Sequence, residues 1–288
     1  MRKGPNKPGL VGLLVPFSDA IKLIGKEVRF PNRRNFFFCL VPCISLTIPL
    51  VLWCLYPSRY WGLRIKYSAL VFLCVASVGV YALLRSGWRS NSKYRQLGSI
   101  RAIAQSVSYE VRFSLILLHY ILFFSFDALS LGLEPLLFMI IPPLLFFVSA
   151  LAESNRAPFD FSEGESELVR GFNTEYSSVH FVMIFLAEYL RILFLSVMTR
   201  LLFLRSGLMD LWIMALFVSV AFIWSRASLP RLRYDQLMIL AWKAFLPTIL
   251  RIGCLFLLTY NLSSETALWF RRRVMGVMVC ALLRYLLS

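Results

Sequence analysis

The chain has 288 residues, of which 59% are hydrophobic and only 16% charged, against about 25% charged in an average soluble protein. Its mean hydropathy is +0.70, and the apolar residues gather into long runs, which excludes a soluble globular protein. The net charge of +16 would point to nucleic acid in a soluble chain. In a membrane chain it reflects Lys and Arg collecting in loops on one side, so nucleic-acid binding is set aside.

The opening Met-Arg-Lys-Gly-Pro-Asn has no apolar h-region behind it and no Arg/Ser-rich transit character. A very apolar chain with such a start is expected to be bacterial or made inside an organelle. Residues 10–30 are apolar, but Asp19, Lys22 and Lys26 recur at i, i+3, i+7 and form one polar helix face. That pattern predicts an amphipathic helix lying in the membrane interface, with an ordinary surface helix as the alternative.

Seven apolar stretches follow, at about 36–56, 67–84, 104–126, 135–152, 181–204, 208–225 and 244–262. The first carries no charge; its 21 residues at ~1.5 Å each reach ~31 Å, the thickness of the hydrocarbon core. Pro42, Pro49, Pro142, Pro143 and Pro247 lie within these spans, where neighbouring helices can satisfy the backbone groups that proline frees. The fold class is therefore all-α: one polytopic transmembrane bundle over residues 1–262, with seven spans and an N-terminal interfacial helix. The tail, 263–288, opens near Arg271, Arg272 and Arg273 and reads as a possible second interfacial helix.

Lys+Arg in the connections fix the orientation. Residues 1–35, 85–101, 153–180 and 226–243 together hold 19, whereas 57–66, 127–134, 205–207 and 263–288 hold 8. The positive-inside rule then places the N-terminus on the matrix or cytoplasmic side. All four long polar connections face that side, as a docking surface for partners requires.

Cys39, Cys43, Cys54, Cys74, Cys254 and Cys280 form no C-x-x-C, and His119 and His180 lie far apart. A disulfide framework, a zinc site or an iron–sulfur cluster is therefore not expected. No phosphate loop, dinucleotide turn or catalytic triad is present either.

The acids carry more information. Glu110 and Glu188 sit early in spans that begin on the inner side, and Glu153 ends a span that arrives there. Six of the fifteen acids lie between 153 and 175: Glu153, Asp160, Glu163, Glu165, Glu167 and Glu175. Ionisable groups inside the membrane are expensive and are functional candidates by default. Crowded carboxylates raise one another's pKa toward neutrality, as a proton relay needs. The alternatives are a solvated acidic loop for 153–175, and local pairing of Glu110 with Arg112 and of Glu188 with Arg191, although i,i+2 neighbours do not face each other. The reading is a proton path that opens on the inner side and stops halfway. Arg226, Arg231 and Arg233 in RASLPRLR either position an anionic or carbonyl headgroup or serve as positive-inside anchors.

The run ALAESNRAPFDFSEGESELVRGFNTEY (150–176) closely resembles the signature of subunit 1 of respiratory NADH:ubiquinone oxidoreductase, complex I, and of its bacterial counterpart. Further blocks agree in order: RKGPNKPGLVGLL with FSDAIKLIGKE (2–27), SGWRSNSKYRQLGSIRAIAQSVSYEV (86–111), FLAEYLRI (185–192) and RASLPRLRYDQLMILAWKAFLP (226–247). The resemblance implies a membrane subunit of the mitochondrial inner membrane that forms the membrane part of a ubiquinone chamber. It implies as partners the subunit with the terminal iron–sulfur cluster, the 49-kDa-type subunit and small neighbouring membrane subunits, beside membrane lipids. Ubiquinone is then the substrate, and FMN and the iron–sulfur clusters belong to partner subunits. The family's quinone-channel residues map onto Arg2, Asp19, Lys22, Phe172, Arg226 and Arg231. Its acidic relay maps onto Glu110, Glu153, Asp160, Glu163, Glu165, Glu167, Glu175 and Glu188.

The rival within the superfamily is the membrane subunit of membrane-bound hydrogenases. A secondary transporter should show inverted repeats, which are not evident. The family has eight spans, the first ending in a Glu-Arg-Lys…Gly-Tyr segment, whereas this chain opens at Met1-Arg2. A separate short chain supplying that helix is therefore expected, with an unrecognised upstream start as the alternative.

Overall fold

The computed structural model describes residues 4–5, 7–9, 12–27, 36–55, 68–89, 93–125, 135–160, 176–203 and 208–261. Among them every regular element is helical: α1 (Val15–Ile24), α2 (Phe36–Cys54), α3 (Ser68–Arg89), α4 (Lys93–Ser125), α5 (Pro135–Glu153), α6 (Ser178–Phe203), α7 (Leu208–Ser228), α8 (Tyr234–Ile239) and α9 (Leu246–Asn261), the last two joined by a π-helical turn, Leu240–Phe245. Three helices among the described residues are long and apolar enough to cross a membrane, Ala69–Trp88, Ser178–Phe203 and Tyr234–Cys254. Shorter apolar helices run over Cys39–Cys54, Ile141–Glu153 and Trp212–Ser228. This fits the expected membrane helical bundle.

Several boundaries differ from those read off hydropathy. α1 is ten residues long, shorter than the 10–30 segment. Pro16 sits in its first turn, and the helix closes at Gly25, whose N–H donates to the Ile21 carbonyl at 3.0 Å while the Lys26 N–H donates to the Leu23 carbonyl at 3.4 Å. Lys26 accordingly falls outside the helix, while Asp19 and Lys22 remain on it. α4 starts at Lys93, eleven residues before the apolar run at 104, because Lys93, Arg95, Gln96 and Arg101 are good helix formers that hydropathy ignores. The last helical stretch likewise begins at Tyr234, ten residues before 244. Its start is built by Asp235 in the first turn and by Gln236, whose Oε1 accepts the Arg233 N–H at 3.3 Å. Pro247 has no N–H to give, and its ring presses on the carbonyl four residues back; the π turn just before it is where the helix absorbs that. The tail 263–288 and the connections 57–66 and 127–134 lie outside the described residues.

The chain divides into two compact units, residues 1–103 with 162–194 and residues 104–161 with 195–288. In the first, α2 packs on α3. The Trp53 indole donates to the Leu190 carbonyl at 3.3 Å and meets Phe194 edge-on at 5.9 Å, and Phe194 stacks on Phe72 at 5.7 Å. Pro42 and Pro49, both inside α2, are fully buried. Val41, Tyr176 and Ile184 form a small core there, joined by Leu83 and Phe181. In the second unit Phe146 is fully buried between Phe113, at 4.4 Å, and Phe203, at 5.3 Å. Tyr120 closes on Phe203 at 5.6 Å, and Phe147 pairs with Phe222 at 4.7 Å. Elsewhere α7 presents Trp212, Ile213, Leu216, Phe217, Val220, Ile223 and Trp224 on its surface, a composition suited to lipid and unsuited to water.

Candidate functional site

The best-built polar region belongs to the second unit and begins where α5 ends. The Ser154 N–H closes on the Ala150 carbonyl at 3.1 Å and the Asn155 N–H on Ala152 at 3.2 Å. Asn155 then turns into the left-handed region (φ 50°), which Asn tolerates better than most residues. The chain returns through a tight turn in which the Phe159 N–H donates to the Arg156 carbonyl at 2.9 Å. Glu153 stands at one end of this turn and Asp160 at the other.

Gln105 of α4 straps the turn. Its Nε2 donates to the Ala152 carbonyl at 2.8 Å and to the Phe159 carbonyl at 3.1 Å, and the residue is 0% exposed. One amide thus satisfies a carbonyl on each side, so the ends carrying Glu153 and Asp160 are held at a set separation. Tyr109, one turn further along α4, packs its ring 6.3 Å from that of Phe159. The third strand of the site is the segment after α7: the Leu232 N–H donates to the Pro158 carbonyl at 3.3 Å, and the Arg231 guanidinium donates to the Asp160 carbonyl. Arg231 and Asp160, distant in sequence, are therefore brought together, and Arg226 is exposed at the end of α7.

Glu110 lies on α4 but about 100° around the helix from Tyr109 at 3.6 residues per turn, on a partly exposed flank. The local pairing of Glu110 with Arg112 does not form: Arg112 is turned inward, and its Nε donates to the Ser108 carbonyl at 3.1 Å. Glu188 is on α6 in the first unit and half-buried. Arg191 on the same helix lays its guanidinium against Gly79 of α3, where a Cβ would stand 2.9 Å from it. Asp19 and Lys22 are exposed on α1, beside the exposed apolar Phe17 and Ile21. Arg2, Glu163, Glu165, Glu167, Phe172 and Glu175 lie outside the described residues.

Also in the first unit, Arg95 at the start of α4 interacts with Tyr176. Burial pushes the Arg95 guanidinium down to about 10, with Tyr176 opposing the shift. Burial likewise pushes the Tyr176 phenol above its ordinary value, with Arg95 countering and Cys39 adding to it. At neutral pH the pair is a cation beside a neutral phenol.

Gln105, Tyr109 and Arg112 were not singled out by their place in the sequence as an internal polar face. Their spacing of four and three residues, i, i+4, i+7 along one helix, is the signal that would have found them.

These features define an all-α protein of the membrane-bundle class, with a buried polar stripe on one long helix and a strapped acidic turn beside it. Residues 1–258 match the model of a family described as NADH dehydrogenase. The chain is 49% identical over 265 residues to NADH-ubiquinone oxidoreductase chain 1 of Heterololigo bleekeri, covering 88% of this chain and 85% of that one. It is 47% identical over 256 residues to the protein of that name in Aedes aegypti (86% and 82% covered) and 45% identical over 269 residues to that in Thymallus arcticus (88% and 83%). The chain belongs to the NADH dehydrogenase family.

Proposed function

We propose that this chain is a core membrane subunit of proton-pumping NADH:ubiquinone oxidoreductase, complex I. In this reading it forms the membrane part of the ubiquinone chamber and the start of the acidic relay that couples quinone reduction to proton translocation. The observation that carries the assignment is identity of 45–49% to proteins named NADH-ubiquinone oxidoreductase chain 1 across most of the chain. The strapped turn supports the finer reading, since it joins Glu153 and Asp160 of the proposed relay to Arg231 of the proposed chamber.

The chain crosses the mitochondrial inner membrane seven times, its N-terminus in the matrix. Ubiquinone is the substrate; FMN and the iron–sulfur clusters reside in partner subunits, and the terminal-cluster subunit and the 49-kDa-type subunit close the chamber over it. Arg2, Asp19, Lys22, Phe172, Arg226 and Arg231 face the quinone. Glu110, Glu153, Asp160, Glu163, Glu165, Glu167, Glu175 and Glu188 carry protons. Small neighbouring membrane subunits continue the path laterally.

Substitutions at Arg226 on one side and at Glu153 and Glu188 on the other test the two halves separately in the assembled complex. Arg226→Met removes an exposed cation and is expected to raise the KM for short-chain ubiquinone analogues about tenfold while assembly is kept, the scale of one lost charged hydrogen bond. Glu153→Gln keeps shape and loses the titrating proton; protons pumped per NADH should fall. Normal stoichiometry with Gln at both 153 and 188 removes the relay, and an unchanged KM removes Arg226 from the chamber.

A further inference from the structure

Arg112 has no part in the reading above, yet it is the most conspicuous charge in the second unit. It is 2% exposed on α4. Its guanidinium carbon lies 3.4 Å from the centroid of the Tyr109 ring and 5.8 Å from that of Phe245, at the end of the π turn. Both terminal amino groups are buried, and among the described residues neither has a hydrogen-bond acceptor and no carboxylate forms an ion pair with Arg112.

Arginine keeps its proton at physiological pH, so under working conditions this is a fixed buried cation. A contact with two aromatic rings offsets only part of the desolvation such a charge suffers. A residue held at that cost, where a neutral side chain would pack more comfortably, points to a use for the charge itself.

Its place on the helix says what that use is. On the N-terminal side of Arg112 the buried residues of α4 in this unit include Gln105, Ser106 and Ser108; on the C-terminal side they are Phe113, Ile116 and Leu117. Arg112 stands at the border between polar and apolar lining. Glu110, the deepest acid of the proposed relay on this helix, is two residues or about 3 Å short of it along the axis.

We propose that Arg112 is a fixed electrostatic barrier: its positive charge repels an excess proton arriving along the polar face of α4 and ends the inner-side path there. A permanent cation in a low-dielectric passage excludes protons and other cations while passing no current itself. The barrier rests on the orientation and relay given under the proposed function. Its test needs neither NADH nor quinone, so it fails or holds apart from them.

The experiment compares the whole complex bearing Arg112→Met, Arg112→Gln or Arg112→Lys, reconstituted in proteoliposomes. Passive proton entry under an imposed pH gradient is followed with a trapped pH-sensitive dye. The neutral variants are expected to leak about tenfold faster or more, with Lys as tight as the parent. The thermal midpoint of the Met variant should stay level or rise, because a buried charge with no ion-pair partner among the described residues has been removed. Neutral variants as tight as the parent overturn the proposal, as does a Lys variant as leaky as Met. Failure of both neutral variants to assemble, with Lys assembling normally, assigns Arg112 a structural role and overturns it too.

Discussion

Gln105 shows how much one neutral side chain can organise. Its two donated hydrogen bonds reach carbonyls 47 and 54 residues along the chain, on either side of the turn between Glu153 and Asp160. A Leu there would fill similar volume but withdraw both hydrogen bonds, leaving the Phe159 carbonyl unpaired and the Ala152 carbonyl held by the Asn155 N–H alone. The unpaired carbonyl costs about 1–3 kcal/mol and the second lost bond adds about 1 kcal/mol. Gln105→Leu is therefore expected to lower complex stability by about 2–4 kcal/mol and, through the loosened turn, to reduce pumping more than Gln105→Glu does. A thermal melt of the purified complex beside a proton-to-electron ratio reads both; an unshifted midpoint would remove Gln105 as the strap. The Arg95–Tyr176 pair makes a different prediction. Arg95 loses its proton only near pH 10, and Tyr176 ionises only above its ordinary range. In the window above about pH 10 the folded state binds fewer protons at Arg95 than the unfolded chain, so stability rises with pH through that group. At Tyr176 the folded state binds more, so stability falls, and the two slopes oppose. Between pH 6 and 9 neither titrates, and Tyr176→Phe should leave the pH–activity profile unchanged. An altered profile in that range would show that the phenol ionises in the working enzyme.

At the scale of elements, α4 and α9 approach closely because Gly253 has no side chain. A Cβ there would overlap the His119 ring, which is itself fixed by a 2.6 Å hydrogen bond from Nδ1 to the Leu115 carbonyl. The ring cannot easily give way without losing that bond. Gly253→Ala should accordingly destabilise by about 1–3 kcal/mol, the usual scale of overpacking. Gly253→Ala with His119→Ala should recover most of it, because the overlapping ring is gone. A double variant no more stable than the single one would locate the strain elsewhere. The π turn has a related logic. Pro247 forces the distortion, and the result places Phe245 beneath Arg112, so a backbone defect serves the packing of a charge.

For the whole molecule the checkable statement is orientation. The connections richer in Lys+Arg, 19 against 8, are assigned to the matrix. Arg233→Cys should then react with an impermeant thiol reagent in inside-out submitochondrial particles and be shielded in mitoplasts, with Asp127→Cys giving the reverse. Opposite labelling would invert the topology and, with it, the inner-side entrance of the relay.

All-helical membrane architecture was legible in the sequence because hydropathy over some twenty residues is a local property of the chain, set by bilayer thickness. The acidic run from Glu153 to Glu175 and the position of Glu110 and Glu188 early in their apolar runs were equally legible, since position along a run follows from counting. Helix limits were less so: the charged start of α4 and the capped start of α8 are helical for reasons of propensity and hydrogen bonding that hydropathy does not register. What only the tertiary structure decided was pairing across distance. Asp160 meets Arg231 through its backbone carbonyl, a group every residue carries and no side-chain pattern reveals. Arg112, weighed in the sequence as a pairing partner of Glu110 that its i,i+2 spacing disfavours, turns toward Tyr109 and Phe245, because burial is fixed by the segments that fold over a helix face and not by the residues beside it in the chain.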